Sequence, residues 1–344
     1  MHVRELTALP GPSGVEDRVR EYILEQARRL GADARVDKLG NVIAVRQGTA
    51  QKPANVMVCA HMDEVGFLIT RVEESGLLKF SITGGMDARI LLSQRVSIGR
   101  DAVPGVIGST PIHLLKPEDI KTTVKTEDMF IDIGAANKAD ALKLVQPGDW
   151  AVFDSQYVEF GDGLVKSKAL DDRAGCSLLL DALAGSYEAT LTAVFSVMEE
   201  IGGMGAKAAA YALNPDAACV LEGTTCADMH GVPDHLRVTV VGRGPAITVM
   251  DNSAISHRKL REFLISTAQA QGIPWQHRAG SFGGTDAGLI QPARAGVPVV
   301  NINVPCRYIH SPVSVMSLED YNNALKLLQA FLGGIQQSIE EVRQ

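Results

Sequence analysis

Cysteine is sparse and unpatterned in this sequence. There are five: Cys59, Cys176, Cys219, Cys226 and Cys306. The count is odd and no two form a C-x-x-C pair, which argues against a disulfide framework or a thiolate zinc site. No run of about 18 apolar residues suggests a membrane helix, and Met1-His2-Val3-Arg4-Glu5 lacks the apolar stretch of a signal peptide. A basic excess is missing too. The formal net charge is -7 and the sequence pI is near 5.7, which disfavours a nucleic-acid partner. No internal repeat or low-complexity segment is present. These absences leave a chain expected in the reducing cytoplasm, with neither a membrane nor a nucleic acid as partner. What remains is ordinary globular composition, 46% hydrophobic and 21% charged over 344 residues. That is enough chain for one large domain or two ordinary ones, with a core that needs no covalent staples.

Periodicity divides the chain. Ser13 and Glu16 have capping-box spacing, and Val15, Val19, Tyr22, Ile23, Ala27 and Leu30 then recur at helical intervals until Gly31. Strands are expected at Val42 to Arg46, Asn55 to Ala60, Leu191 to Met198, Ala217 to Leu221 and Val297 to Val304. Helices are expected at Leu170 to Leu183, Gly205 to Leu213, His257 to Gln271 and Ser317 to Val342. This alternation predicts an α/β fold with a mostly parallel sheet. The stretch from Gly66 to Glu159 breaks the pattern: it offers short Val-, Ile-, Gly- and Pro-rich strand pieces and one short helix near Lys138 to Val145. Residues 66–159 are therefore expected to form a small β-rich insert in a catalytic domain made of residues 1–65 and 160–344.

Charged and imidazole side chains fall at or just beyond the ends of the apolar strands: His61, Glu199-Glu200, Glu222 and His310. In an open α/β sheet, ligands gather outside the carboxyl ends of the strands. Asp171 adds a carboxylate at a helix start. Each has a plainer reading. His61 could be a strand-end histidine capped by Asp63, Asp171 an acidic first turn, Glu199-Glu200 a solvated turn, and His310 a hydrogen-bonded loop residue. Adjacent carboxylates at a buried strand end repel, however, and call for a cation or a proton. Two histidines with several carboxylates make a nitrogen-and-oxygen donor set suited to Zn, Co or Mn. Two metals sharing a carboxylate can clamp and acidify a water, and a further carboxylate must then accept its proton. Spacing does not say which of Glu199 and Glu200 is base and which is ligand.

Five strings carry a more specific signal: Ala60-His61-Met62-Asp63-Glu64-Val65-Gly66, Lys168-Ala169-Leu170-Asp171-Asp172-Arg173, Glu199-Glu200-Ile201-Gly202, Gly283-Gly284-Thr285-Asp286 and Arg307-Tyr308-Ile309-His310-Ser311-Pro312. In content and order they resemble the M42 aminopeptidase family across nearly the whole chain. The resemblance implies a phosphopeptidase-like α/β catalytic domain with helices on both faces of the sheet. It also implies an inserted small β-barrel or PDZ-like domain and self-assembly into tetrahedral particles, commonly dodecamers. Carried over by position, His61 and Glu222 would hold one divalent metal, Glu200 and His310 the other, and Asp171 would bridge them. Glu199 would be the general base and Asp63 would orient His61. Gly283, Gly284, Thr285 and Asp286 would lie near a peptide substrate with a free N-terminus; the string reads equally as a turn followed by a helix N-cap. Two departures stand out. Glu222 occupies a position where the family often has Asp, which bears on that site's geometry and metal preference. Ile201-Gly202-Gly203-Met204-Gly205 replaces Val-Gly-Leu-Arg-Gly, so the arginine's contact is missing. The rivals are a metal-dependent amidohydrolase or carboxypeptidase on a related fold, a metal-free glycosidase using two carboxylates, and a non-enzymatic assembly protein.

Overall fold

Side chains on successive strand residues point to opposite faces, and that alternation builds two separate cores around one sheet. In the strand Asn55–His61, Val56, Val58 and Ala60 pack into one apolar cluster while Met57 and Cys59 pack into the other. The first cluster is covered by the helices Asp17–Arg29, Leu170–Leu183, Arg258–Ala270 and Leu318–Arg343. The second is covered by the Ala-rich helix Met204–Leu213 and the short helix Ala287–Ile290. Burial on both faces explains why the central strands read as near-continuous apolar runs. The computed structural model describes the backbone of residues 1–343 and the side chains of residues 1–339.

The sheet runs in the order Asp33–Val36, Val42–Arg46, Thr190–Ser196, Asn55–His61, Ala217–Thr225, Val299–Arg307, Ser314–Ser317, Leu164–Ser167, Val158–Phe160. The four strands from Thr190–Ser196 to Val299–Arg307 are mutually parallel, and the outer ones are antiparallel. From the strand Asn55–His61 the later strands continue on both sides, Thr190–Ser196 on one and Ala217–Thr225 on the other. Such a switch opens a crevice at the carboxyl edge. Ala217–Thr225 runs past the expected end at Leu221, which places Glu222 inside the strand. Gly223 allows this: a Cβ there would lie 2.8 Å from the Cα of Asp171.

Six strands between Gly66 and Phe153 close into a barrel in the order Gly66–Val72, Leu78–Thr83, Phe130–Asp132, Val103–Gly108, Arg95–Ile98, Trp150–Phe153. It has its own apolar core. Phe67 is fully buried there, edge-on to Phe80 and to Phe153, each at 5.2 Å between ring centres. Burying one such ring contributes about 1.5–3 kcal/mol. The strand Val158–Phe160 pairs with Leu164–Ser167 in the large sheet. The expected capping box does not form. The helix begins at Asp17; the Ser13 hydroxyl donates instead to Asp63, at 2.6 Å, and the Glu16 carboxylate accepts from the backbone N–H groups of Gly14 and Met198. Ser13 and Glu16 thus tie the N-terminal loop to the sheet edge. No helix among the described residues is long and apolar enough to cross a membrane.

Candidate metal centre

The switch crevice gathers the five residues expected as ligands. His61 ends its strand and Glu222 projects from the neighbouring one. Glu200 follows the strand Thr190–Ser196, and His310 follows Val299–Arg307. Asp171 sits at the mouth of Leu170–Leu183, where Asp171 and Asp172 have non-helical dihedrals, so neither belongs to a regular first turn. His61 Nε2 lies 3.4 Å from Asp171 Oδ1 and 3.6 Å from Glu222 Oε2. His310 Nε2 lies 3.4 Å from Asp171 Oδ2 and 3.4 Å from Glu200 Oε1. Asp171 therefore presents one carboxylate oxygen to each histidine. Donor atoms of His61, Asp172 and Glu222 form one compact group, and those of Asp171, Glu200 and His310 form a second.

The second nitrogen of each histidine is fixed, as metal-ligating imidazoles require. His310 Nδ1 lies 2.6 Å from the carbonyl oxygen of Gly85, a residue contributed by the inserted barrel segment. His61 Nδ1 lies 3.1 Å from the Asp63 backbone carbonyl and 3.4 Å from Asp63 Oδ1. The Asp63 carboxylate mainly holds the turn that carries the glutamate pair, accepting the N–H groups of Glu199 at 3.0 Å and Glu200 at 3.1 Å. Burial pushes the Asp63 carboxyl up, but His61, Ser13 and the Glu199 N–H outweigh it and hold the carboxyl below its usual range.

Charge in the crevice is strongly perturbed. Burial, reinforced by Asp286, Glu200 and Asp171 and opposed by His61, pushes the Glu199 carboxyl up to about 9. Burial, with Asp171 and Asp63 against the histidines, raises Glu200 to about 7. Burial and the neighbouring carboxylates carry Glu222 well above its ordinary value. Burial works against the imidazolium of His310, but Asp171 and Glu200 raise it to about 9. Asp171 goes the other way: burial is outweighed by His310 and His61, and its carboxyl falls well below the usual range. Without a cation, the cluster can coexist only by holding protons. Asp171 Oδ1 and Glu222 Oε1 are buried with no hydrogen-bond partner. Such orphaned oxygens are costly, and a divalent cation bound by these donors relieves both faults, displacing the protons as it binds. The residues fit a metal.

A cavity of about 570 Å³ opens over the clusters, lined by Glu199 and by Gly283, Gly284 and Thr285 among others. Asp286 does not line it. It is buried behind the glutamate turn, accepts the Ser196 hydroxyl at 2.6 Å and contacts the Cys59 thiol at 3.5 Å. Its approach is permitted by Gly203, which has φ +62° and whose Cβ would lie 2.9 Å from Asp286 Oδ1. Met204, standing in the arginine's position, is exposed at the start of its helix.

Spacing alone does not disclose the groups that hold the ligands still. Lys168 Nζ contacts both Glu64 oxygens, at 2.6 and 2.8 Å. Arg173, fully buried, donates to the carbonyls of Leu6 and Leu9 and lies 3.4 Å from Glu64. This buried network fastens the N-terminal segment beneath the His61–Asp63 and Asp171 loops. Glu64, Lys168 and Arg173 were visible only as neighbours of ligand residues; charged residues next to buried strand ends are the signal that they are paired.

A doubly wound sheet with imidazole and carboxylate clusters facing each other at its carboxyl edge defines a metal-dependent hydrolase. The chain belongs to the M42 glutamyl aminopeptidase family, whose model matches residues 40–327. A lysyl aminopeptidase of Pyrococcus furiosus is 30% identical over 96% of this chain and 95% of its own. Among solved structures, an aminopeptidase of the archaeon Desulfurococcus kamchatkensis superposes with a TM-score of 0.95 at 36% identity, covering 99% of this chain and 96% of that one. The TET1 peptidase of Pyrococcus horikoshii, which assembles into a tetrahedron or a large octahedral shell, gives 0.85 at 34% identity, covering 96% and 98%. The chain is thus an aminopeptidase, a hydrolase of peptide bonds.

Proposed function

We propose that the protein removes residues singly from free peptide N-termini using two divalent metal ions. His61 and Glu222 would hold one ion, Glu200 and His310 the other, and Asp171 both. The observation that carries this reading is the placement of Asp171, one oxygen 3.4 Å from each imidazole. When bound, ions such as Zn, Co or Mn supply Lewis-acid polarisation and acidify water at neutral pH. Glu199 lines the same cavity yet belongs to neither donor group, which suits a general base that accepts a proton and later returns it to the leaving amine. Asp63 holds the Glu199 backbone, so the base keeps a fixed position. The same reading places the protein in the cytoplasm, supported by five cysteines that are all free and buried.

An aminopeptidase must recognise an amine one residue from the scissile carbonyl, and the acidic crevice suits an ammonium group. Acetylating the N-terminus of a good substrate should abolish cleavage, whereas amidating its C-terminus should change the rate little. Buried acceptors shaped for the amine lose their partner in the first case only. Time-resolved mass spectrometry reads both. Efficient cleavage of the acetylated peptide, or loss of residues from the C-terminus, would move the protein to the amidohydrolase or carboxypeptidase reading.

The barrel segment, Gly66 to Phe153, we assign to assembly, most simply a dodecamer; the expected insert ends short of residue 159, because Val158–Phe160 joins the large sheet. The independent core of the barrel and the shells formed by the Pyrococcus horikoshii peptidase support this. Light scattering should give a mass far above the 36.7 kDa chain; a strictly monomeric protein at all concentrations would refute the assignment.

A further inference from the structure

The inserted barrel meets the catalytic domain along a second cleft, separate from the catalytic cavity and about 470 Å³ in volume. One wall comes from the barrel side: Arg95, which opens the strand Arg95–Ile98, with Asp154 and Ser155 where the chain leaves the barrel. Lys166, Pro312 and Val313 of the catalytic domain form the other wall. Junctions between domains are common places for small-molecule sites. The polar groups here favour an anion.

Lys166 is half-buried and pairs across the sheet with Val158 on one side and Val315 on the other. Cross-strand partners share a face, so its stem runs out between two valines. Its ammonium has no hydrogen-bond or ion-pair partner among the described residues. Arg95 Nε lies 3.5 Å from Asp154 Oδ2, too far for a strong hydrogen bond, and its terminal nitrogens are uncommitted. Asp154 is the one carboxylate among the lining residues, so two cations face a single negative charge. The Ser155 hydroxyl is buried with no hydrogen-bond partner. Such a group is costly unless an acceptor or donor meets it, and a hydroxyl can donate to an oxyanion.

The cleft wall is continuous with the turn that carries His310. Ser311 Oγ donates to the Tyr308 carbonyl at 2.5 Å and accepts the Val313 N–H at 3.2 Å. These bonds make residues 308–313 one tight unit, so what holds Pro312 and Val313 also steadies His310. The barrel touches the same unit at a second point, where the Gly85 carbonyl lies 2.6 Å from His310 Nδ1.

We propose that this cleft is an effector site for a small oxyanion, which Lys166, Arg95 and Ser155 receive and which clamps the barrel against the His310 turn. A free amino acid, through its carboxylate, and inorganic phosphate carry the same chemistry, and the experiment separates them.

The test titrates the full-length metal-loaded protein with phosphate, with free alanine and with alanine amide, by calorimetry at fixed ionic strength so that screening is constant. One probe should bind saturably, and Lys166→Met should weaken that binding by at least about tenfold, the scale of one charge-assisted hydrogen bond. Arg95→Gln should weaken it as well. Both variants should keep the wild-type mass by light scattering and the wild-type rate without probe. Alanine binding that is lost in alanine amide, with phosphate inert, identifies a carboxylate ligand; binding of phosphate alone identifies a phosphate ligand. The effector role is read as kcat at saturating substrate, where competition within the catalytic cavity vanishes. The bound probe should raise kcat severalfold in the wild type and leave Lys166→Met unchanged. Absence of saturable binding by either anion would overturn the proposal, and so would binding that persists undiminished in Lys166→Met, which would place the anion elsewhere. A cleft that fills without any rise in kcat, or with a fall, would refute the clamp.

Discussion

Glu199→Gln should lower kcat by about 10²–10⁴ while leaving the metal content of the protein unchanged. That range is typical for a positioned general base. Gln keeps the shape of Glu199 and its backbone hydrogen bond to Asp63 but cannot take a proton. The high proton affinity of Glu199, about 9 in the absence of cations, arises from burial and from Asp286, Glu200 and Asp171. Cations held at the adjacent donors would lower it toward the working range, so the base strength should depend on metal loading. Elemental analysis and steady-state kinetics on the same preparation decide the matter. Loss of metal in Glu199→Gln would make Glu199 a ligand and move the base role to Glu200.

Asp171→Asn should weaken both metal sites together, by more than the 10–100-fold that loss of an outer-shell partner produces. Each oxygen of Asp171 faces a different histidine, so replacing one oxygen by an amide removes a donor from one site and the negative charge from both. His61→Ala is the matching control. It removes the imidazole nearest Glu222 and should empty one site, leaving the group around His310 and Glu200 able to bind. Two separable affinities in the wild type, both altered in Asp171→Asn but one largely retained in His61→Ala, is the expected pattern. Unchanged affinity for two ions in Asp171→Asn would rule out a shared carboxylate.

Much of this arrangement is legible in the sequence, for a definite reason. Buried parallel strands read as apolar runs, and polar residues that interrupt their carboxyl ends stand out; His61, the Glu199-Glu200 pair and His310 are of that kind. Glu222 stands out in the same way, although its strand continues through Thr225, where Gly223 makes room for Asp171 beside it. The insert shows in the sequence as a break in period; a barrel or PDZ-like form is implied only by the family resemblance, since six short strands can pair in many orders, and the strands close into a barrel. Tertiary partnership was the least legible. Ser13 and Glu16 have the spacing of a local cap yet serve distant groups at the sheet edge. Gly85 is an unremarked turn residue whose carbonyl meets His310. Asp286 sits in a string that suggests substrate contact, but a buried hydroxyl claims its carboxylate. Spacing reports which chemistry is present; which atom of a side chain is already occupied depends on packing.

The most direct test of the central claim is metal stoichiometry titrated against activity. Chelator-stripped protein should be inactive, should bind two equivalents of Zn, Co or Mn per chain, and should recover release of N-terminal residues as they fill. Full activity in the stripped protein, or saturation without any bound ion, would contradict a dinuclear aminopeptidase.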